Sequence, residues 1–142
     1  MRIEKELFLG FYSVRKLLDT FTVSDSTKRM QFELSFYPAL RMVDQFNWHH
    51  LQKNYDLSES ESETRDIRFL CNQFIHSYVF LTSEADNRID GFFVASDRDR
   101  HTKCYFAELC HVLTAFRTVG NDYPATMHLQ RDKSGQWAGQ IG

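Results

Sequence analysis

Within the first 36 residues the apolar positions change period, and that change constrains the fold more than any other feature of the chain. Ile3, Leu7, Phe11, Val14, Leu17, Leu18 and Phe21 recur at helical spacing, with Arg2, Lys5, Lys16 and Asp19 elsewhere around the axis. After the polar turn Ser24-Asp25-Ser26-Thr27, the residues Met30, Phe32, Leu34 and Phe36 alternate with Gln31, Glu33 and Ser35 until Pro38. That period of two belongs to a strand buried on one face. A helix with one apolar stripe next to a strand with one apolar face predicts a layered α+β fold. Gly10 falls inside the helical stripe, and the spacing predicts close approach of a packing partner there.

The rest of the chain extends the pattern. Ile67, Leu70, Cys71, Phe74, Ile75 and Tyr78 form a complete apolar set for a central helix over 62–77. The preceding SESESET (58–64) reads as a solvated linker, with Ser60 and Glu63 at capping-box spacing. Three short apolar runs then predict an antiparallel meander near 78–84, 90–96 and 102–106, with Gly91 marking a bulge or close backbone approach. Phe106, Leu109, Cys110, Leu113 and Phe116 predict a third helix over 106–119, with Gly120 just past its end. A turn at Asp122-Tyr123-Pro124 and a last hairpin with DKSG at its tip complete the reading. Residues 39–57 are ambiguous: Leu40, Val43, Phe46 and Trp48 fit a short helix, and Asn47 could cap another through His49, Leu51 and Tyr55. The expected fold is an antiparallel sheet of about four to six strands, covered on one face by two to three amphipathic helices, as a single domain over 1–142.

Composition narrows the function classes. The formal net charge is −2 and no Lys/Arg block exceeds two residues. Phosphate neutralisation by a nucleic-acid binder needs more basic surface than that. No run approaches the ~20 apolar residues of a membrane span. The N-terminal MRIEKELFLGFYSV interrupts its apolar residues with charge, unlike a signal-peptide core. Three cysteines without CxxC spacing predict free thiols and a reducing, cytoplasmic setting. Thirteen Phe, six Tyr and two Trp supply either a Phe-filled core or an apolar association surface.

The candidate chemistry lies opposite the apolar stripe of the central helix. Arg65, Phe69, Asn72 and His76 line up at i, i+4, i+7 and i+11. Histidine is the side chain most readily tuned for proton transfer near neutrality. In spacing, Asn72 and His76 resemble the polar residue and histidine of HEPN ribonucleases. That motif's arginine position is Cys71 here, Arg68 lies eight residues before His76, and the strand signals conflict with an all-helical bundle. No family is assigned on this ground.

Other clusters read as structural by default. Trp48-His49-His50 resembles a partly exposed aromatic patch, and adjacent histidines point apart on a helix. Ser96–His101 alternates acids and bases, as a solvated hairpin tip does. Cys104 and Cys110 read as small core hydrophobes, with His111 directed away from Cys110. No phosphate loop, nucleophile elbow or HExxH motif occurs.

Two function classes follow. One is a non-catalytic module that binds a protein or small ligand and acts as a homodimer, with Trp48, His49, Tyr55 and Phe69 as candidate contacts and no metal or cofactor. The other is a metal-independent hydrolase or nuclease using His76, with Asn72 and Arg65 or Arg68 as orienting or anion-stabilising groups. The second requires those side chains to converge in a solvent-reachable cleft.

Overall fold

In the computed structural model, residues 2–122, 127–131 and 133–141 are described. The order of elements is α1 (Arg2–Leu18), α2 (Asp25–Lys28), β1 (Gln31–Pro38), α3 (Leu51–Asn54), β2 (Glu61–Asp66), α4 (Ile67–Ile75), β3 (Ser77–Ala85), β4 (Arg88–Ser96), β5 (Lys103–Glu108), α5 (Leu109–Gly120), β6 (Met127–Arg131) and β7 (Trp137–Ile141). The fold is α+β. Strands β1–β5 form one fully antiparallel sheet in the order β2-β1-β5-β4-β3, and β6 and β7 form a separate hairpin.

The alternation of side chains divides the sheet into two apolar faces. Phe32 and Leu34 of β1, Phe80 of β3, Phe92 and Val94 of β4, and Tyr105 and Ala107 of β5 point to one side. There they meet Leu7, Phe11, Val14 and Leu18 of α1, Leu70 and Phe74 of α4, and Val112 and Ala115 of α5. The Phe11 and Phe74 rings stack at 4.3 Å. Full burial of such a side chain stabilises by about 1.5–3 kcal/mol as an upper estimate. Gly10 is where α1 meets α5: a Cβ there would stand 2.7 Å from Phe116 Cζ. Leu17 and Phe21 of the expected stripe stay exposed, Phe21 lying beyond the end of α1 at Leu18.

The opposite face is also covered, which one-sided cover did not anticipate. Val79, Ala95 and Cys104 pack there against Val43 and Tyr55 from the 39–57 segment. That segment holds only the single-turn helix α3. Arg100 Nε donates to Val43 O at 3.0 Å, Val43 N–H donates to His101 Nδ1 at 3.0 Å, and Tyr55 OH donates to Arg100 O at 2.7 Å. The 96–101 connector is therefore a clasp for this segment as well as a hairpin tip.

Strand β2 corrects the reading of SESESET as a linker. Glu61–Asp66 pairs with β1 from Phe36↔Glu61 to Gln31↔Asp66. Its side chains are all polar, so no apolar period announces it; edge pairing with β1 and the bonds of Glu63 hold it. The helix consequently starts at Ile67, and its N-cap is Asp66, whose carboxylate accepts the Phe69 N–H at 2.8 Å. Ser60 and Glu63 do not cap it, and Arg65 lies on β2 instead of the helix.

The meander falls close to the expected positions. Asp86 and Asn87, at φ 52° and 62°, make the tight turn between β3 and β4, a conformation these residues tolerate. The register shifts between Ser83 and Glu84, opposite Gly91, where a Cβ would meet Phe106 Cζ at 2.4 Å and the Ala107 carbonyl oxygen at 2.7 Å. Strand β5 runs on to Glu108, so α5 begins three residues later than the period suggested, and Gly120 is its last residue with Asn121 as cap. The C-terminal hairpin is tied on by Ile141 N–H, which donates to Asp25 Oδ2 at 3.1 Å. Tyr123 and Pro124 of the expected turn and Asp132 of the hairpin tip lie outside the described residues.

Candidate functional site

Arg65, Phe69, Asn72 and His76 do come together, on one wall of a cleft of about 510 Å³. The facing wall is the end of β4 and the turn behind it, from Ser96 to Asp99. Helix α4 is short and turns its apolar residues toward α1 and the sheet, which leaves Phe69, Asn72 and the C-cap residue His76 on the other side. Asn72 is half-buried and His76 exposed, so this face is open to solvent and is not sealed as a second packing surface. Neither side chain makes a hydrogen bond or ion pair to another described residue.

Gln73 joins the two walls. Its side chain is buried; Nε2 donates to Asp99 Oδ2 at 2.8 Å and Oε1 accepts from Ser96 N–H at 3.0 Å. Asp99 N–H in turn donates to Ser96 Oγ at 3.2 Å. Asp97 N–H donates to His76 O at 2.8 Å, which ties the turn to the C-terminal end of the helix. The Asp97 carboxylate accepts from Arg100. Arg98 is exposed and has no partner among the described residues.

At the other end of the cleft the Arg65 guanidinium lies 4.3 Å over the Phe69 ring, which meets Tyr105 edge-on at 5.2 Å. Arg65 Nε donates to Glu63 Oε1 at 2.8 Å, and Glu63 also accepts from Lys103 Nζ at 3.1 Å and from Tyr105 OH. Partial burial pushes the Glu63 carboxyl up, but the bonds from Tyr105, Arg65 and Lys103 outweigh it and hold the group at about 2. Desolvation, reinforced by the Glu63 carboxylate, raises the Tyr105 phenol above its ordinary range.

The remaining sequence candidates are elsewhere. Arg68 points away from the cleft and pairs with Asp19, just past the end of α1, at 3.0 Å. Tyr55 is fully buried under the second face of the sheet, and desolvation raises its phenol well above the ordinary value. Trp48 is half-buried against that cluster. His49 and His50 line a shallow depression of about 330 Å³ with their rings 4.2 Å apart. Partial desolvation, with His49, Lys53 and Arg41 nearby, lowers the His50 imidazole below its usual value.

Cys110 is exposed, which corrects its placement in the core. Its thiol donates to Glu108 Oε2 at 3.2 Å, and the His111 ring is also near: donor atoms of Glu108, Cys110 and His111 all lie within 4.8 Å of one another. Among the described residues no three of His49, His50, His101, His111, Asp97 and Asp99 form such a group.

Gln73 and Ser96 are the residues that periodicity did not single out. Gln73 carried one signal, as the polar residue set between Leu70, Cys71 and Phe74 on the buried stripe. A second cavity, of about 450 Å³, opens between Phe8 of α1, Phe74 and Ile75 of α4, and Phe80 of β3, with Glu4 and Lys5 at its edge. It lacks the grouping of guanidinium, amide and imidazole found in the first. No protein-family model, curated protein or solved structure matches the chain.

Proposed function

We propose that the chain is a non-catalytic, single-domain binding module that takes a small molecule into the cleft between α4 and the 96–99 turn. One observation carries this reading: Arg65, Phe69, Asn72 and His76 line one concave surface of about 510 Å³, within the range of small-ligand sites. Phe69 offers the one apolar contact in that lining, and the polar groups around it offer orientation. Trp48, His49 and Tyr55 have no part in this site.

The module is proposed to act as a homodimer. Exposed Phe8, Leu9 and Tyr12 on α1, and separately the unpaired outer edge of β3, support association, since exposed apolar groups and open strand edges favour it. Free thiols at Cys71, Cys104 and Cys110 support a cytoplasmic setting. No helix among the described residues is long and apolar enough to cross a membrane.

The test is a two-dimensional NMR titration of small molecules against the full chain, with light scattering after size exclusion for the oligomeric state. Saturable shifts confined to the amides of 65–76 and 96–99 are the expected result. A library screen that moves no resonance of the cleft refutes the ligand reading, and a monomer at all concentrations refutes the dimer.

The exposure of His76 beside Asn72 favours a second reading, a metal-independent hydrolase or nuclease. His76 would serve as general acid–base, with Asn72 orienting the substrate and Arg65 stabilising negative charge. Arg68 has no role in it, being bonded to Asp19 on another face. Hydrolysis of bis-p-nitrophenyl phosphate that His76→Ala abolishes would establish this reading over the first.

A further inference from the structure

We infer that the ligand of this cleft is a small molecule bearing a carboxylate or phosphate, with its negative group held at the end formed by Arg98 and His76. The inference rests on the reading of the cleft as a ligand site and adds the chemical class.

It follows from which polar groups the fold has already used. Both cleft carboxylates already hold a partner of this chain: Asp99 Oδ2 accepts from Gln73 and the Asp97 carboxylate is paired with Arg100, while Gln73 Oε1 and Ser96 Oγ accept internal hydrogen bonds. Arg98 differs from them: it has no partner among the described residues, and the Asn72 and His76 side chains of the same lining make no hydrogen bond to a described residue. Arg65 is incompletely neutralised as well, because its partner Glu63 also serves Lys103 and Tyr105. A guest supplying acceptor oxygens would meet a guanidinium, unpaired among the described residues, whose planar fork suits carboxylate and phosphate alike.

Asp99 opposes an anion, and it also locates one. Its carboxylate is fixed against Gln73 by the 2.8 Å bond from Nε2. Repulsion from it disfavours negative charge beside Gln73 and favours it at Arg98 and His76, which line the same cleft. Phe69 remains to contact the apolar part of the guest.

Four ring compounds of similar size separate the possibilities: phenyl phosphate, benzoate, benzyl alcohol and benzamidine, titrated into the full chain by two-dimensional NMR. Phenyl phosphate, benzoate or both are expected to shift the amides of Asn72, His76 and Arg98, and to bind about tenfold or more tightly than the alcohol or the cation. Either anion alone upholds the inference and names the group. Arg98→Gln, a change at an exposed residue without partners among the described residues, is expected to weaken the anion about tenfold and to leave benzyl alcohol unaffected. Added salt should weaken the anion likewise. Benzyl alcohol or benzamidine matching the anions overturns this inference and leaves the ligand site standing. Anion binding that ignores Arg98→Gln, or that maps away from the cleft, overturns it too. If none of the four moves the cleft resonances this inference falls, and the ligand reading is decided separately by the library screen.

Discussion

Gln73 donates its side-chain amide to the Asp99 carboxylate at 2.8 Å, and this bond couples the helix wall of the cleft to the turn wall. The same residue accepts from Ser96 N–H, so one buried side chain fixes the turn from two directions. Gln73→Leu keeps most of the volume and removes both bonds, stranding a buried backbone N–H. A loss of about 1–3 kcal/mol is expected. The measurement is urea unfolding with amide exchange at 96–100; unchanged exchange in that turn would refute the coupling.

The two close-approach glycines are expected to respond differently to the same substitution. At Gly91 an added Cβ meets the Ala107 carbonyl oxygen at 2.7 Å as well as the Phe106 ring. A backbone oxygen inside a paired sheet has nowhere to move, so Gly91→Ala should destabilise by about 1–3 kcal/mol. At Gly10 the clash is with the far edge of the Phe116 ring alone, and alanine gains about 1 kcal/mol of helix propensity. Gly10→Ala should come out near neutral. Thermal unfolding of both variants decides it, and equal losses would contradict the argument.

Acid stability should carry the signature of Glu63. Its carboxyl lies near 2 in the fold against an ordinary 4.5, because Tyr105, Arg65 and Lys103 all favour the charged form. A depressed folded value means the stabilisation is complete above about 4.5 and is lost as the pH falls toward about 2. Glu63→Gln should therefore flatten the stability profile across that interval relative to the parent. Parallel curves for the two proteins, from urea midpoints taken over the interval, would remove Glu63 from the account.

Cysteine reactivity should single out Cys110. Cys71 and Cys104 are buried, and desolvation pushes both thiols up to about 12. Cys110 is exposed, but its hydrogen bond to Glu108 raises its thiol above the usual value. Native alkylation should modify one thiol per chain, and Glu108→Gln should speed that reaction by favouring the thiolate. Mass spectrometry showing equal labelling at a buried cysteine would count against this packing.

Much of this molecule follows from local pattern. The 3.6 period of Leu7, Phe11, Val14 and Leu18 and the alternation of Phe32 and Leu34 required a helix and a strand to bury one side each. Those constraints, with the meander after Val79, were enough for an antiparallel α+β fold. The same periodicity brought Phe69, Asn72 and His76 to one helix face. Residues on a common face share a direction whatever they pack against. The tertiary structure decided what that direction meets. Strand β2 exists because β1 offers an edge to pair with, and no apolar period records such pairing. Arg65 joins the cleft from that strand, Arg68 leaves it for Asp19, and the 96–99 turn arrives from more than twenty residues away. Gln73 became the joint between the two walls only when the chain folded back and set Ser96 and Asp99 within hydrogen-bond reach of it.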